Sequence, residues 1–425
     1  MTTSESAREF MERLPTGWEL LPFRALLAEP LRNGVYKSKR FHGRGARVVN
    51  MGELFAYDFI SDQDMKRVEL TAGEEERFRL HDGDLLFARR SLVLEGSGKC
   101  SIVVTPPETT AFESSLIRAR PHPLVANSRF LFYLFKSSLG RAIIASIATR
   151  TAVSGIRSSE LTDVRLPVPP IRVQFRIADI LSTYDELIVN DQRRIRILEE
   201  MARALYREWF IDLRFPGHAT VPHVTSPVGP IPQGWSIQRL GDLAEEVRVN
   251  IPKGKLDSPT AYVGLEHIPR RSVTLDAWET RTELGSNKLG FKRGDVLFGK
   301  IRPYFHKACL APFDGVCSAD TIVIRARRPE RHSLVVSSVT SDEFVAEATA
   351  TSNGSKMPRA NWSVLENYQV LVPTGELADR FGRMLADFLA LQQTLMFRSI
   401  NLRRSRDLLL PRLFSGDVNV GEEAA

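Results

Sequence analysis

Cysteine is scarce in this chain of 425 residues. The three that occur, Cys100, Cys309 and Cys317, form no CxxC pair. An odd and widely spaced set gives no disulfide framework, which is typical of a reducing compartment. We therefore expect a cytoplasmic protein.

Long apolar runs are missing too. No run reaches about 18 residues, so no membrane-spanning helix is predicted. The opening segment, MTTSESAREFMERLP, has acidic side chains and no apolar core, and we expect no signal peptide there.

The motifs of common enzymes are also absent. VLEGSGKC (93–100) lacks the first glycine and the final Ser or Thr of a P-loop, and we interpret it as a turn. There is no GxSxG elbow, HExxH pair or zinc-finger spacing. There is also no FxGxG cofactor loop and no Asn-Pro-Pro-aromatic tetrapeptide, so the chain is not predicted to be a DNA methyltransferase itself. We predict no catalytic residues, no metal ligands and no bound cofactor.

Charge leaves two classes of protein open. Lys and Arg number 58 and Asp and Glu 51, so the net charge is +7, and the pI is about 9.4. This excess favours an anionic partner such as nucleic acid. An ordinary basic enzyme fits the charge equally well.

The main positive feature is an internal repeat, because a series of segments recurs in the same order. The matched pairs are LPTGWELLPFRALLAE (14–29) with IPQGWSIQRLGDLAEE (231–246), GDLLFARR (83–90) with GDVLFGKI (294–301), IRARP (117–121) with IRARRP (324–329), and LPVP (166–169) with VLVP (370–373). The matched pieces are apolar and the pieces between them diverge. Loops tolerate such change where packed elements do not. We therefore predict one scaffold that presents two different surfaces.

Each repeat contains β-like runs such as RVVNM, DLLFAR, CSIVV and SSLIRAR, separated by turn signals. A helix-like stretch follows at 129–148, with a partner at 333–350. These patterns predict an α+β globule in each repeat.

Both repeats end in a tail with a heptad pattern. Over five heptads of the first tail, only Asp191 interrupts the apolar rows. A sustained period of 3.5 predicts a coiled-coil seam, although surface helices packed on their own domains are an alternative. The predicted seam residues are Leu181, Ile188, Ile195, Leu198, Leu205, Phe381, Phe388, Leu395, Leu402 and Leu409.

The two tails most simply pair with each other. A Pro- and Gly-rich linker separates them, so an antiparallel pair would place two pseudo-two-fold related globular domains at opposite ends of the coil. The predicted boundaries are a first globular domain at 1–169, a first long helix at 170–215, a linker at 216–230, a second globular domain at 231–373, and a second long helix with a C-terminal tail at 374–425.

Three sets of basic residues are candidates for DNA contact, since Lys and Arg neutralise phosphates and Arg and Asn also read bases. The first set lies within 31–47, where a solvated loop is an equal alternative, and comprises Lys37, Lys39, Arg40 and Arg44. The second follows the matched GD(L/V)LF segments and comprises Arg89 and Arg90, then Lys300, Arg302, Tyr304, His306 and Lys307. The third precedes the tails and comprises Arg150 and Arg157, then Asn353, Lys356 and Arg359.

Taken together, the sequence resembles the specificity subunits of type I restriction-modification enzymes. The residues that carry the resemblance are PxGW (Pro15–Trp18 and Pro232–Trp235), Leu-Gly-Asp-Leu (240–243), Gly-Asp-(Leu/Val)-Leu-Phe in both repeats, LPVPPIRVQ (Leu166–Gln174) and LLLPRLFSGDV (408–418). Each motif is short, but their ordered duplication covers nearly the whole chain. The resemblance implies that the globular domains are target-recognition domains.

The resemblance also implies a non-catalytic reader of double-stranded DNA that docks two modification (methyltransferase) subunits, with restriction subunits as optional further partners. On this basis we predict recognition of an asymmetric bipartite target whose gap is set by the coil. Three alternatives stay open: an enzyme with unrecognised motifs, such as a nuclease or DNA methyltransferase; a specificity subunit of the type IIB kind; and a coiled-coil adaptor without DNA function.

Overall fold

The computed structural model describes residues 14–91, 96–149, 154–227, 229–354, 356–373, 375–418 and 420. The chain forms two compact units. One contains Met1–Glu186 and Leu402–Ala425, and the other contains Leu187–Asn401. Each unit therefore combines one repeat with a segment of each long tail. The domain boundaries drawn from the sequence stay predictions.

In the first repeat the strands are β1 (Glu19–Pro22), β2 (Leu27–Asn33), β3 (His42–Val49), β4 (Phe59–Ile60), β5 (Arg67–Val68), β6 (Leu85–Ala88), β7 (Arg90–Ser91), β8 (Cys100–Val103), β9 (Thr110–Phe112), β10 (Leu116–Pro121), β11 (Ser154–Gly155) and β12 (Arg165–Val168). The helices are α1 (Met51–Ala56), α2 (Ala72–Phe78), α3 (Ser128–Lys136), α4 (Ser138–Ile147) and α5 (Ser158–Asp163). The first tail is α6 (Ile171–Tyr206), which continues as a π-helical turn at Arg207–Ile211.

A short pair of strands joins the linker to the second repeat: β13 (His223–Val224) lies in the linker and β14 (Ile231–Pro232) begins the repeat. The second repeat has the strands β15 (Ser236–Arg239), β16 (Ala244–Glu246), β17 (Val249–Ile251), β18 (Gly254–Val263), β19 (Glu279–Leu284), β20 (Lys288–Phe291), β21 (Val296–Gly299), β22 (Ala308–Leu310), β23 (Gly315–Cys317), β24 (Thr321–Ala326) and β25 (Gln369–Val372). Its helices are α7 (Leu240–Leu243), α8 (His332–Val339), α9 (Asp342–Ala350) and α10 (Trp362–Leu365), and the second tail is α11 (Gly375–Phe414).

Four strands of one sheet have the same order in both repeats, and we call it the frame sheet; in the first repeat β4 is an additional edge strand. Its order is β2-β10-β6-β8-β4 in the first repeat and β16-β24-β21-β22 in the second. The predicted β-like runs DLLFAR, CSIVV and SSLIRAR supply β6, β8 and β10. The α+β prediction is confirmed.

A second sheet differs between the repeats, and we call it the variable sheet. Both versions contain a parallel pair, β3 with β9 and β18 with β23. The first repeat has three strands in the order β5-β3-β9, whereas the second has five in the order β17-β20-β23-β18-β19. The divergent pieces of sequence therefore build different surfaces on a common frame.

The matched helix-like stretches are not single helices, which corrects the sequence-based interpretation. Each is a pair of helices, α3 with α4 and α8 with α9, and the first pair is bent by 77°. Ser137 and Ser341 stand at the breaks, and each side-chain hydroxyl accepts a hydrogen bond from the backbone N–H three residues further on. These serines cap a new helix start and so end the preceding helix. No single helix in the described ranges is long and apolar enough to cross a membrane, although the α3–α4 pair passes that test when its two helices are taken together.

The two long helices run in opposite directions within each unit. In the unit of Leu187–Asn401, the Asp191 carboxylate binds the Arg398 guanidinium through two hydrogen bonds. Further along, Phe381 of α11 packs on Phe210, with ring centroids 4.7 Å apart. In the other unit Asp185 binds Arg406 and also accepts a hydrogen bond of 2.6 Å from the Tyr133 hydroxyl. The predicted antiparallel pairing is therefore confirmed within each unit.

The predicted seam residues all lie on the covered faces of the helices. Leu181, Ile188, Phe381 and Leu395 are buried. The half-buried ones are Ile195, Leu198, Leu205, Phe388, Leu402 and Leu409. The buried row also holds polar residues such as Gln392 and Ser399, so the seam is less apolar than the heptad pattern predicts.

Candidate nucleic-acid interface

The repeated Gly-Asp motif builds the same support in both repeats. Gly83 and Gly294 adopt positive φ angles of 81° and 92°, which suit glycine in a tight turn. The following carboxylates, Asp84 and Asp295, are buried. Each accepts a backbone N–H from three residues earlier, at 2.8 Å in both cases. The motif therefore ends a turn and starts a central strand of the frame sheet.

Each buried carboxylate also holds the neighbouring strand. Asp84 binds Arg120 of β10 with two hydrogen bonds of 2.7 and 2.8 Å, and Asp295 binds Arg325 of β24 with the same two distances. The strand register agrees, because Leu116 faces Ala88 and Thr321 faces Gly299. Arg120 therefore corresponds to Arg325, and the match of IRARP with IRARRP is out by two residues. The structure thus corrects the alignment of these two segments. Basic and apolar residues alternate in both, and such an alternation repeats every two residues, so the sequence alone does not fix how the segments align.

The second and third basic sets meet at one end of the frame sheet in both repeats. We call it the loop end, the end at which β6 or β21 finishes. In the first repeat Arg90 and Ser91 form β7, which pairs with β11. In the second repeat Ile301 pairs with Arg359, and the Ala360 N–H donates to the Lys300 carbonyl at 2.8 Å. The chain thus brings together residues that are far apart in sequence.

The first basic set begins at the same loop end. It follows β2, whose last residue, Asn33, faces Ile117 and accepts a hydrogen bond of 2.9 Å from the Ser158 hydroxyl. Gly34 is required there, because a Cβ at this position would lie 2.2 Å from the Glu113 carbonyl oxygen. Tyr36, which precedes the first cation of the set, is 81% exposed.

Several cations of the first repeat already have partners. Lys37 forms an ion pair of 2.6 Å with Glu74, and Arg44 pairs with Glu69. Arg40 lies over the Phe41 ring, 4.7 Å from its centroid. Arg89 is half-buried, whereas the exposed members are Lys39, Arg40, Arg44, Arg90 and Arg157. Arg150 lies outside the described residues. The DNA contacts assigned to this repeat stay predictions.

In the second repeat the cations surround one carboxylate. The Lys300 ammonium donates to the Ala319 carbonyl at 2.6 Å and lies 3.8 Å from Asp320. Arg359 lies 3.8 Å from the same carboxylate. Asn353 and Lys356 are exposed on the neighbouring segment. These side chains form a basic surface beside the frame sheet, and their contact with DNA stays a prediction.

Three predicted residues share a turn between β21 and β22. Arg302 is half-buried and lies near Phe305, while Tyr304 is 51% exposed. His306 is buried, and its Nε2 is 3.0 Å from the Thr340 carbonyl oxygen. Burial lowers the pKa of the His306 imidazole, so the ring is neutral near pH 7. The histidine therefore supports the turn from inside the protein.

One matched pair of lysines anchors the frame sheet: Lys307 belongs to the second basic set, whereas its counterpart Lys99 was not selected from the sequence. Lys99 donates to the Phe55 carbonyl at 2.6 Å, and Lys307 donates to the Leu265 carbonyl. Each stands immediately before a frame strand, β8 or β22. Burial lowers the pKa of both ammonium groups. A lysine at the start of equivalent strands was the available signal.

The described residues include one group with metal-ligand character, formed by Glu266, His267 and Glu279. The Gly264 N–H donates to His267 Nδ1 at 2.9 Å, so the neutral ring carries its proton on Nε2. That proton points to Glu279, 3.7 Å away. The arrangement therefore disfavours metal binding through Nε2.

The cysteines take no part in this surface. All three side chains are buried, and burial raises the pKa of the Cys100 and Cys309 thiols and that of Cys317 to about 12. Buried thiols of this kind are unreactive.

Comparison with known proteins gives a consistent result. Residues 45–200 match the family model described as the type I restriction modification DNA specificity domain. The type I restriction enzyme MjaIX specificity subunit of Methanocaldococcus jannaschii is 24% identical over 367 residues, which cover 78% of this chain and 83% of that protein. The EcoDI specificity subunit of Escherichia coli is 24% identical over 319 residues and covers 69% of each chain. The crystal structure of the S subunit of a type I restriction-modification system from M. genitalium has the same fold, with a TM-score of 0.59, 14% identity and coverage of 95% and 98%.

Proposed function

Because this chain belongs to the specificity subunits of type I restriction-modification enzymes, we propose that each repeat reads one half of a bipartite DNA target. The partners are double-stranded DNA, two modification subunits that dock on the chain, and restriction subunits in the complete enzyme. The target is asymmetric, since the variable sheets of the two repeats differ.

One observation supports this proposal above the others. In both repeats the predicted basic segments converge on the loop end of a matched frame sheet. Basic residues that are brought together at equivalent places suit a polyanion, because phosphate contacts position a protein on DNA. Different surfaces beside an equivalent basic site then allow different half-sites to be read.

The proposal assigns no catalysis to this chain. Methyl transfer belongs to the modification subunits, which bring the cofactor. We also propose that the chain acts in the cytoplasm. We expect purified chain mixed with DNA and S-adenosylmethionine to transfer no methyl group, and transfer to begin when the modification subunit is added. Tritium incorporation measures both. Incorporation by the chain alone would assign the catalysis to this polypeptide.

DNA contact is tested by salt dependence. Lys356 is exposed on the segment that pairs beside Lys300, and we expect Lys356→Ala to weaken DNA binding by the complex with its modification subunits. A lost phosphate contact lowers the slope of log affinity against log salt by about one. Gel shifts at several salt concentrations give this slope.

Arg383 is the matched control for this measurement, because it is an exposed cation of the same unit on α11. We expect Arg383→Ala to leave the slope unchanged. Equal slopes for Lys356→Ala and the unaltered chain would remove Lys356 from the interface.

A further inference from the structure

The turn between β21 and β22 has an unusual backbone. Arg302 and His306 have φ angles of 50° and 51°, in the left-handed region, although neither is glycine. They bracket a single 3₁₀ turn at Pro303–Phe305. Side chains disfavour this conformation, which persists where surrounding contacts over-determine it, and such positions cluster at ligand-binding sites.

Both ends of the turn are fixed by hydrogen bonds. The Arg302 N–H donates to the Pro358 carbonyl at 2.8 Å, and the Arg271 N–H donates to the His306 carbonyl at 2.9 Å. The buried His306 ring is held by Thr340, and Pro303 is also buried. The conformation of the turn is therefore set by the protein before any ligand arrives.

The fixed turn presents one aromatic ring to solvent. Tyr304 is 51% exposed and packs edge-on against Phe305, with ring centroids 4.8 Å apart. Phe305 is covered in turn by the Arg270 guanidinium, 4.2 Å from its ring centroid. The turn thus holds the Tyr304 ring against Phe305, whose own ring is covered by Arg270.

Two cations lie beside the start of this turn. Lys300 precedes the turn, and Arg359 pairs with Ile301 beside it. An exposed ring with cations nearby suits DNA at an unstacked base step, because the cations meet phosphates while the ring meets the face of a base. A solvent-exposed ring without a ligand would not require a strained and doubly anchored turn.

We propose that Tyr304 enters the base stack of the half-site read by the second repeat and is a specificity-determining residue of this chain. The inference rests on the proposed function. A side chain inserted between base steps unstacks them and bends the duplex, and the cost of that deformation depends on the sequence of the step. Tyr304 therefore selects steps that unstack readily.

The test uses the full chain in complex with its modification subunits. Selection from a random duplex library first gives the target. Duplexes are then made with 2-aminopurine at successive positions of the half-site, since this base fluoresces more strongly when it is unstacked. We compare the unaltered chain with Tyr304→Ala, with Tyr304→Phe, and with Tyr57→Ala, which removes an exposed tyrosine of the first repeat.

We expect a fluorescence increase at one step with the unaltered chain. Tyr304→Ala should abolish it and weaken target binding roughly ten- to a hundredfold, as loss of a base–aromatic stack does, while nonspecific binding stays the same. Tyr304→Phe keeps the ring and should retain both signals, and so should Tyr57→Ala. A matching thermal unfolding temperature for the three variants excludes misfolding.

Two results would overturn the inference. In the first, Tyr304→Ala keeps the fluorescence and the affinity. In the second, Tyr304→Phe loses as much as Tyr304→Ala, which would make the hydroxyl group and not the ring the contact. Failure of the unaltered complex to select any sequence would instead reject the proposed function itself, and the inference with it.

Discussion

Replacing Arg398 with alanine should clearly destabilise the unit of Leu187–Asn401, because a buried carboxylate is left in the helix seam without its cation. Asp191 is fully buried, and Arg398 Nε donates to its Oδ2 at 2.7 Å. Hydrogen exchange of the native protein measures the loss as reduced protection of the amides in this unit.

A double replacement separates the cost of the orphaned charge from the value of the pair. Asp191→Leu combined with Arg398→Leu removes both charges, and we expect stability within about 1 kcal/mol of the unaltered chain or above it. Arg404 is exposed on the same helix, so Arg404→Ala should change stability by less than about 0.5 kcal/mol. Equal stability of Arg398→Ala and the unaltered chain would show that the seam hydrates Asp191 at little cost.

Replacing Asp295 with alanine should also destabilise the second repeat. The substitution removes the buried acceptor of both Arg325 and the Lys292 N–H. Arg325 is about a third exposed and can rehydrate, so we expect a loss of about 3 kcal/mol, at the low end for a broken buried ion pair. Amide exchange should accelerate in β21 and β24, while the first repeat, with its own Asp84–Arg120 pair, keeps its protection.

Glu245 provides the control for Asp295, since it pairs with Arg327 at 2.8 Å while both side chains are nearly half exposed. Exposed pairs contribute about 0–1 kcal/mol, so Glu245→Ala should be nearly silent. If the two substitutions cost the same, burial of the carboxylate is not what gives the Gly-Asp motif its importance.

The sequence predicted the repeated frame well, because matched apolar segments report buried strands directly. It also identified Asp191 as the interruption of an apolar row, yet its partner could not be read from the chain. Arg398 lies in the other tail, and the pairing depends on the register of two helices, which no local pattern contains. The buried polar residues of the seam could not be predicted for the same reason, because their burial depends on the register of the two helices.

The candidate interface could be predicted only in part, because strand pairing brings its residues together. The basic residues were selected as three separate sets, and their convergence at the loop end follows from strand pairing, such as β7 with β11. His306 was selected as a surface residue because it follows a strand with other basic residues. Its burial against Thr340 depends on the packing of α8 and α9, which the neighbouring letters do not report.

The strands that open and close each repeat pair with one another, β1 with β12 and β15 with β25. Glu19 stands opposite Val168, and Ser236 stands opposite Val372. The polypeptide therefore enters and leaves each repeat along two strands that are hydrogen-bonded to each other. The segment between these strands can be exchanged as one unit, because the strand pair that holds its two ends stays the same. Genetic recombination at the codons of these strands would place a foreign segment between the same pair of strands. A gene built this way can acquire a new half-site in one exchange, without prior adjustment of the helices that follow.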